Sequence, residues 1–156
     1  MVKKNMTSRI KLLLLLVVVI LTAQCGEEIK PETSKTNSIE GTWKLTYAEI
    51  RENDSVQVKD LSSTDFIKII NKSHFAFFNQ DRGTDENFTA GAGTYEFDGS
   101  NYVENLDFIN YLDYRGHSFS FGVEIKADSL IQQGQEKIEE SGINRYILEK
   151  YVRVKN

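Results

Sequence analysis

From residue 41 onward, apolar and polar residues alternate with a period of two. Trp43, Leu45 and Tyr47 interleave with Thr42, Lys44 and Thr46, the pattern of a strand with one buried face. Residues 66–70 form a short apolar run rich in β-branched side chains, Asn71-Lys72-Ser73 is a turn signal, and 74–78 is the next strand. Residues 89–97 alternate through Tyr95 and Phe97, Asp98-Gly99 marks a hairpin, and 102–109 runs back. Residues 118–126 alternate through Phe119, Phe121, Val123 and Ile125; a turn at Ala127-Asp128-Ser129 leads to 130–133, and 145–154 is the last strand. Eight strands joined by short turns predict an all-β domain, an antiparallel sandwich or up-and-down barrel. The polar stretches 52–64 and 135–142 break the pattern and read as loops, each with room for a helical turn.

The start of the chain follows a different rule. Lys3, Lys4, Arg9 and Lys11 precede an unbroken apolar run of ten residues from Leu12 to Leu21. A spanning helix needs roughly 20 apolar residues, so a charged flank with a short apolar core reads as a secretory signal. Cys25 is the only cysteine, so no internal disulfide is available to it. The segment Leu21-Thr22-Ala23-Gln24-Cys25 resembles a lipobox, with Gln24 where a small residue is usual. On that reading residues 1–24 are removed and Cys25 carries the lipid that ties the chain to the membrane. The polar segment 26–38 cannot bury enough to fold and is a tether reaching roughly 20 Å. Glu27-Glu28 within it resembles acidic pairs that direct some Gram-negative lipoproteins to the cell exterior.

Residues 39–156 are one domain by length. They hold the single Trp, all seven Tyr and all nine Phe, enough for one core. Residues 1–24 carry four of the 19 basic and none of the 23 acidic residues, so the chain without them has net charge −8. That opposes nucleic acid and anionic lipid surfaces as partners.

Five short motifs occur in order along the domain: Gly41-Thr42-Trp43, Ser73-His74-Phe75, Gly91-Ala92-Gly93-Thr94-Tyr95, Tyr102-Val103-Glu104 and Glu149-Lys150-Tyr151-Val152-Arg153. Together they resemble the small lipocalin-like domains, of unassigned function, found in exported proteins of Gram-negative bacteria; Tyr151 stands where that family tends to have tryptophan. The resemblance implies a closed antiparallel lipocalin-like β-barrel of about eight strands; the lipid on Cys25 would hold it in the envelope of a Gram-negative bacterium, at the outer membrane, on the periplasmic side or the surface. Pairing of first and last strands in such a barrel sets Trp43 beside Arg153. A guanidinium over the indole, with Tyr151 nearby, then closes one end.

Candidate chemistry is sparse. His74 and His117 are the only histidines and lie 43 positions apart, not at metal-ligand spacing, so no metal or other cofactor is expected. The Gly91-Ala92-Gly93 segment lacks a Gly-Lys-Ser/Thr ending and marks a bend, a bulge or a close backbone approach rather than a phosphate loop. Glu104 shares parity with Tyr102, Leu106 and Phe108 and is expected to face inward, where it must find a partner, His74 or Arg145, or raise its pKa. Tyr47, His74, Tyr95, Tyr102 and Glu104 are the candidate ligand-binding residues of a non-catalytic barrel that takes a small, partly apolar molecule. A filled barrel acting as a structural or protein-interaction module of the envelope is the alternative, and an envelope hydrolase a remote one. Whether Trp43, Phe78 and Tyr95 close the interior distinguishes the first two.

Overall fold

The computed structural model describes residues 38–155. Nine strands follow one another: β1 (Gly41–Glu52), β2 (Ser55–Val58), β3 (Thr64–Ile70), β4 (His74–Asp81), β5 (Thr89–Phe97), β6 (Asn101–Ile109), β7 (Ser118–Lys126), β8 (Ser129–Ile138) and β9 (Ile143–Arg153), with one 3-10 turn at Leu112–Tyr114. From β3 to β9 each strand pairs antiparallel with the next, β1 pairs with β3, and β9 returns to β1. The result is a closed antiparallel eight-stranded β-barrel, with β2 a short ribbon added to β1. The position read as lipid-bearing, Cys25, lies outside the described residues, as do the segment read as a signal and most of the segment read as a tether.

The eight expected strands are all present, and both stretches that broke the alternation also contain strand. Asn53 and Asp54, both at positive φ, make the two-residue turn that hairpins favour; the polar stretch therefore turns back as β2, paired with β1 over residues 49–52. Strand β8 continues to Ile138 and turns into β9 through residues 139–142.

One end of the barrel is a packed plug. Trp43, Phe75, Tyr102, Phe121, Leu130 and Tyr151 are each at most 2 % exposed. Tyr102 is the hub, with Phe75, Tyr95 and Phe97 around it at centroid distances of 5.3–6.4 Å. Trp43 and Arg153 are register partners on β1 and β9, and the guanidinium lies 4.0 Å from the indole ring centre. Arg153 also donates to the carbonyls of Ser38 and Glu40, each at 2.7 Å, while the indole nitrogen donates to Ile39 O at 2.9 Å. The chain leading into the barrel is thus pinned across its end. Gly41 is required there twice over. Its φ of 149° disfavours other residues, and a Cβ would strike Arg153. Val152 and Val154 are exposed, so Arg153 and Tyr151 are the pair that faces in.

Two bulges reset which side chains enter the barrel. Leu45 faces Tyr151 and Tyr47 faces Lys150, so Thr46 is the extra residue. Beyond it Ala48 and Ile50 point inward in place of Tyr47. On β6, Leu106 faces Gly93 and Phe108 faces Ala92, leaving Asp107 extra. Phe108, expected inward by parity, is expelled and 70 % exposed, and Ile109 takes its place on the inner wall. Gly93 permits the bulge, since a Cβ there would overlap the backbone of Asn105. Phe78 is likewise an outward residue, 44 % exposed, between inward-facing Phe77 and Asn79.

Candidate functional site

Above the plug the barrel is hollow. A cavity of about 450 Å³ is walled by Phe66, Phe77, Leu106, Ile109, Phe119 and Ile147. It runs toward the end formed by the loops after β2, β4, β6 and β8. There Thr89, Tyr111 and Tyr114 line it, and Tyr111 is exposed. A second lobe of about 370 Å³ shares Phe66, Thr89, Glu136, Arg145, Ile147 and Glu149 with the first. Its cause is topological. Strand β1 pairs with β3 only through residues 41–44, then exchanges that partner for β2 at residues 49–52. The wall between β2 and β3 is therefore unpaired, and Leu45, Ala48, Ile50 and Val58 line the gap.

The floor is polar and charged. Lys68, 2 % exposed, lies on β3 between inward-facing Phe66 and Ile70. Its Nζ donates to Glu104 Oε1 at 2.7 Å and to Gln132 Oε1 at 2.8 Å. The rings of Tyr151 and Tyr102 lie 5.4 and 5.8 Å from the same nitrogen. A buried ammonium so held is neutralised by one carboxylate and satisfied by two acceptors, which is what makes its burial tolerable. Beside it the Tyr151 hydroxyl donates to Glu149 Oε2 at 2.6 Å. Burial and the neighbouring Glu149 carboxylate hold the Tyr151 phenol well above its ordinary range. Tyr102 is shifted upward by burial and by Glu104.

Nearer the mouth, Arg145 pairs with Glu136 at 2.5 Å and lies 5.4 Å from the ring centre of Tyr114. Burial raises the Glu136 carboxyl above its usual range, against the opposing pull of Arg145. For Arg145, the desolvation that would lower its pKa is outweighed by Glu136, and the net shift is upward. Asn79 closes the set: its Nδ2 donates to Asn87 O at 3.2 Å, and its buried Oδ1 receives no hydrogen bond among the described residues.

The residues expected to form the site are divided by this geometry. Glu104 is buried and inward as parity required, but its partner is Lys68 rather than His74 or Arg145. Tyr95 and Tyr102 belong to the plug beneath the cavity, where the Tyr95 hydroxyl donates to Asn71 O at 2.7 Å. His74 sits outside, exposed, at the start of β4, its Nδ1 2.8 Å from Ser73 Oγ. Its position is set by the turn, since its backbone N–H donates to Asn71 Oδ1. Tyr47, turned outward by the bulge at Thr46, lies under Lys150 at 4.9 Å and donates to Glu49. Trp43, Tyr151 and Arg153 lie together at the plugged end of the barrel.

Neither a scan against protein-family models nor a search of curated proteins finds a match to this chain. Among the described residues no group of three or more His, Cys, Asp or Glu side chains is gathered to hold a metal ion.

The cavity residues that the sequence reading missed are Lys68, Asn79, Gln132, Glu136 and Glu149. Lys68 had a signal: it shares parity with Phe66 and Ile70. Glu149 had one too, two positions from Tyr151. Gln132 and Glu136 share parity with Leu130 and Ile138, but the run of polar residues on β8 hid it.

Proposed function

We propose that this chain is a lipid-anchored cell-envelope protein of the lipocalin-like kind, whose barrel captures a small, partly apolar molecule. The observation that carries the reading is the cavity. It is about 450 Å³, within the range of ligand pockets, with apolar walls and a few fixed polar groups. The plug fills one half of the barrel and leaves the other half hollow beneath a mouth of loops. A barrel serving only as a rigid module gains nothing from burying Lys68, Glu104 and Gln132 at the bottom of a hollow, whereas a pocket gains orientation and specificity. The anchor reading rests on the basic start, the ten-residue apolar run and the lone Cys25.

The test uses 1-aminoanthracene, a neutral probe that fluoresces in apolar surroundings. Its emission should rise and saturate at one molecule per chain. Thr89→Trp, at the rim shared by both lobes, should block that rise without altering the β-type circular dichroism. Absence of saturable binding to a folded wild type would refute the pocket.

A further inference from the structure

Resting on the reading of the barrel as a pocket, we propose that its ligand carries a protonated amine on an apolar body, the ammonium lying in the second lobe where Glu149 and Asn79 line the wall. Three observations lead there. First, the carboxylates outnumber the cations that face the cavity. Glu104 is matched by Lys68 and Glu136 by Arg145, while Glu149 has no Lys or Arg nitrogen within 4 Å among the described residues and is held by a neutral phenol. Of the two other charged groups of the second lobe, Glu49 pairs with Arg51, and Lys59 is exposed at the rim, where water screens it.

Second, Asn79 Oδ1 is an acceptor without a donor in the wall of the same lobe, on a residue 8 % exposed. The bond from Nδ2 to Asn87 O fixes which way the amide points. A buried acceptor left unmatched is costly, and a ligand that donates hydrogen bonds relieves it. An anionic ligand meets Glu149 and the orphan oxygen with repulsion; an ammonium offers donors to both. Third, Phe66 and Ile147 wall both lobes, so an apolar body can lie along them with its charged end toward Glu149.

Three indoles of similar size separate the alternatives: tryptamine, which is cationic, tryptophol, which is neutral, and indole-3-propionate, which is anionic. Isothermal titration of the purified chain at neutral pH should find tryptamine tighter than tryptophol by about tenfold, the scale of one charge-assisted hydrogen bond, and indole-3-propionate weakest. Glu149→Gln keeps the shape and should bring tryptamine to the level of tryptophol while leaving tryptophol unchanged. Indole-3-propionate binding as tightly as tryptamine, or Glu149→Gln weakening all three alike, would overturn the amine reading and leave the pocket standing. Failure of all three to bind, tryptophol included, would overturn both.

Discussion

Replacing Lys68 by Met removes the cation at the bottom of the cavity and leaves its stem in place. The Lys68 and Glu104 side chains are 3 % and 9 % exposed, and Nζ makes hydrogen bonds of 2.7 and 2.8 Å to Glu104 and Gln132. The variant strands a carboxylate in the barrel beside two aromatic rings, with Gln132 Oε1 deprived of its donor. Breaking one half of a buried pair costs about 3–5 kcal/mol, and for a domain of this size that lowers Tm by roughly 10–20 °C. Glu104→Leu should cost a similar amount for the mirror-image reason, an ammonium left with only Gln132. The double variant Lys68→Met/Glu104→Leu removes both charges and should recover most of the loss, since an apolar pair of similar volume is often neutral or better. Urea unfolding of the four proteins measures the coupling directly. Single variants that cost less than about 1 kcal/mol, or a double variant that simply adds the two losses, would refute the account of the floor.

Four further outcomes follow from other parts of the chain. Gly41→Ala forces a side chain onto a backbone with φ of 149° and into Arg153, and should cost about 1–3 kcal/mol; Arg153→Met, which loses the indole stack and the bonds to Ser38 and Glu40, should cost about 2 kcal/mol, both read by urea unfolding. Asp98 is held below its ordinary pKa by the backbone N–H groups of Asn101 and Ser100; a depressed folded-state pKa gives stability that is present above the unfolded value near 3.8 and lost as pH falls. Asp98→Asn should therefore flatten the decline in Tm below that pH, and an unchanged decline would show that the turn carboxylate does not take part. Metabolic labelling with palmitate should mark the wild type and not Cys25→Ser.

How far the sequence could be read follows from which side chains kept the alternation clean. On β7, Phe119, Phe121 and Val123 are buried while Ser118, Ser120 and Gly122 are exposed, and the period of two was plain. The Trp43–Arg153 contact was legible because a closed barrel leaves its first and last strands only one way to meet. Strand β8 failed the same test because its inner face carries Gln132, Gly134 and Glu136 between Leu130 and Ile138; a polar interior erases the contrast on which periodicity depends. The two bulges are the other source of error. One extra residue reverses parity for everything beyond it, which is how Tyr47 and Phe108 were assigned to the wrong face. Asn53-Asp54 was a turn signal in plain view, but the polar residues around it do not read as a strand.

Entry of a small molecule into the hollow half of the barrel, as far as the plug, can be read from methyl-resolved NMR of the chain with and without 1-aminoanthracene. Leu106, Ile109 and Ile147 line the cavity, whereas Ile70, Val123 and Leu130 are buried outside its lining. Saturable shifts are expected for the first three methyl-bearing residues and none for the second three. Shifts spread over the exterior, or no shift at Leu106, Ile109 and Ile147 at saturating probe, would contradict it.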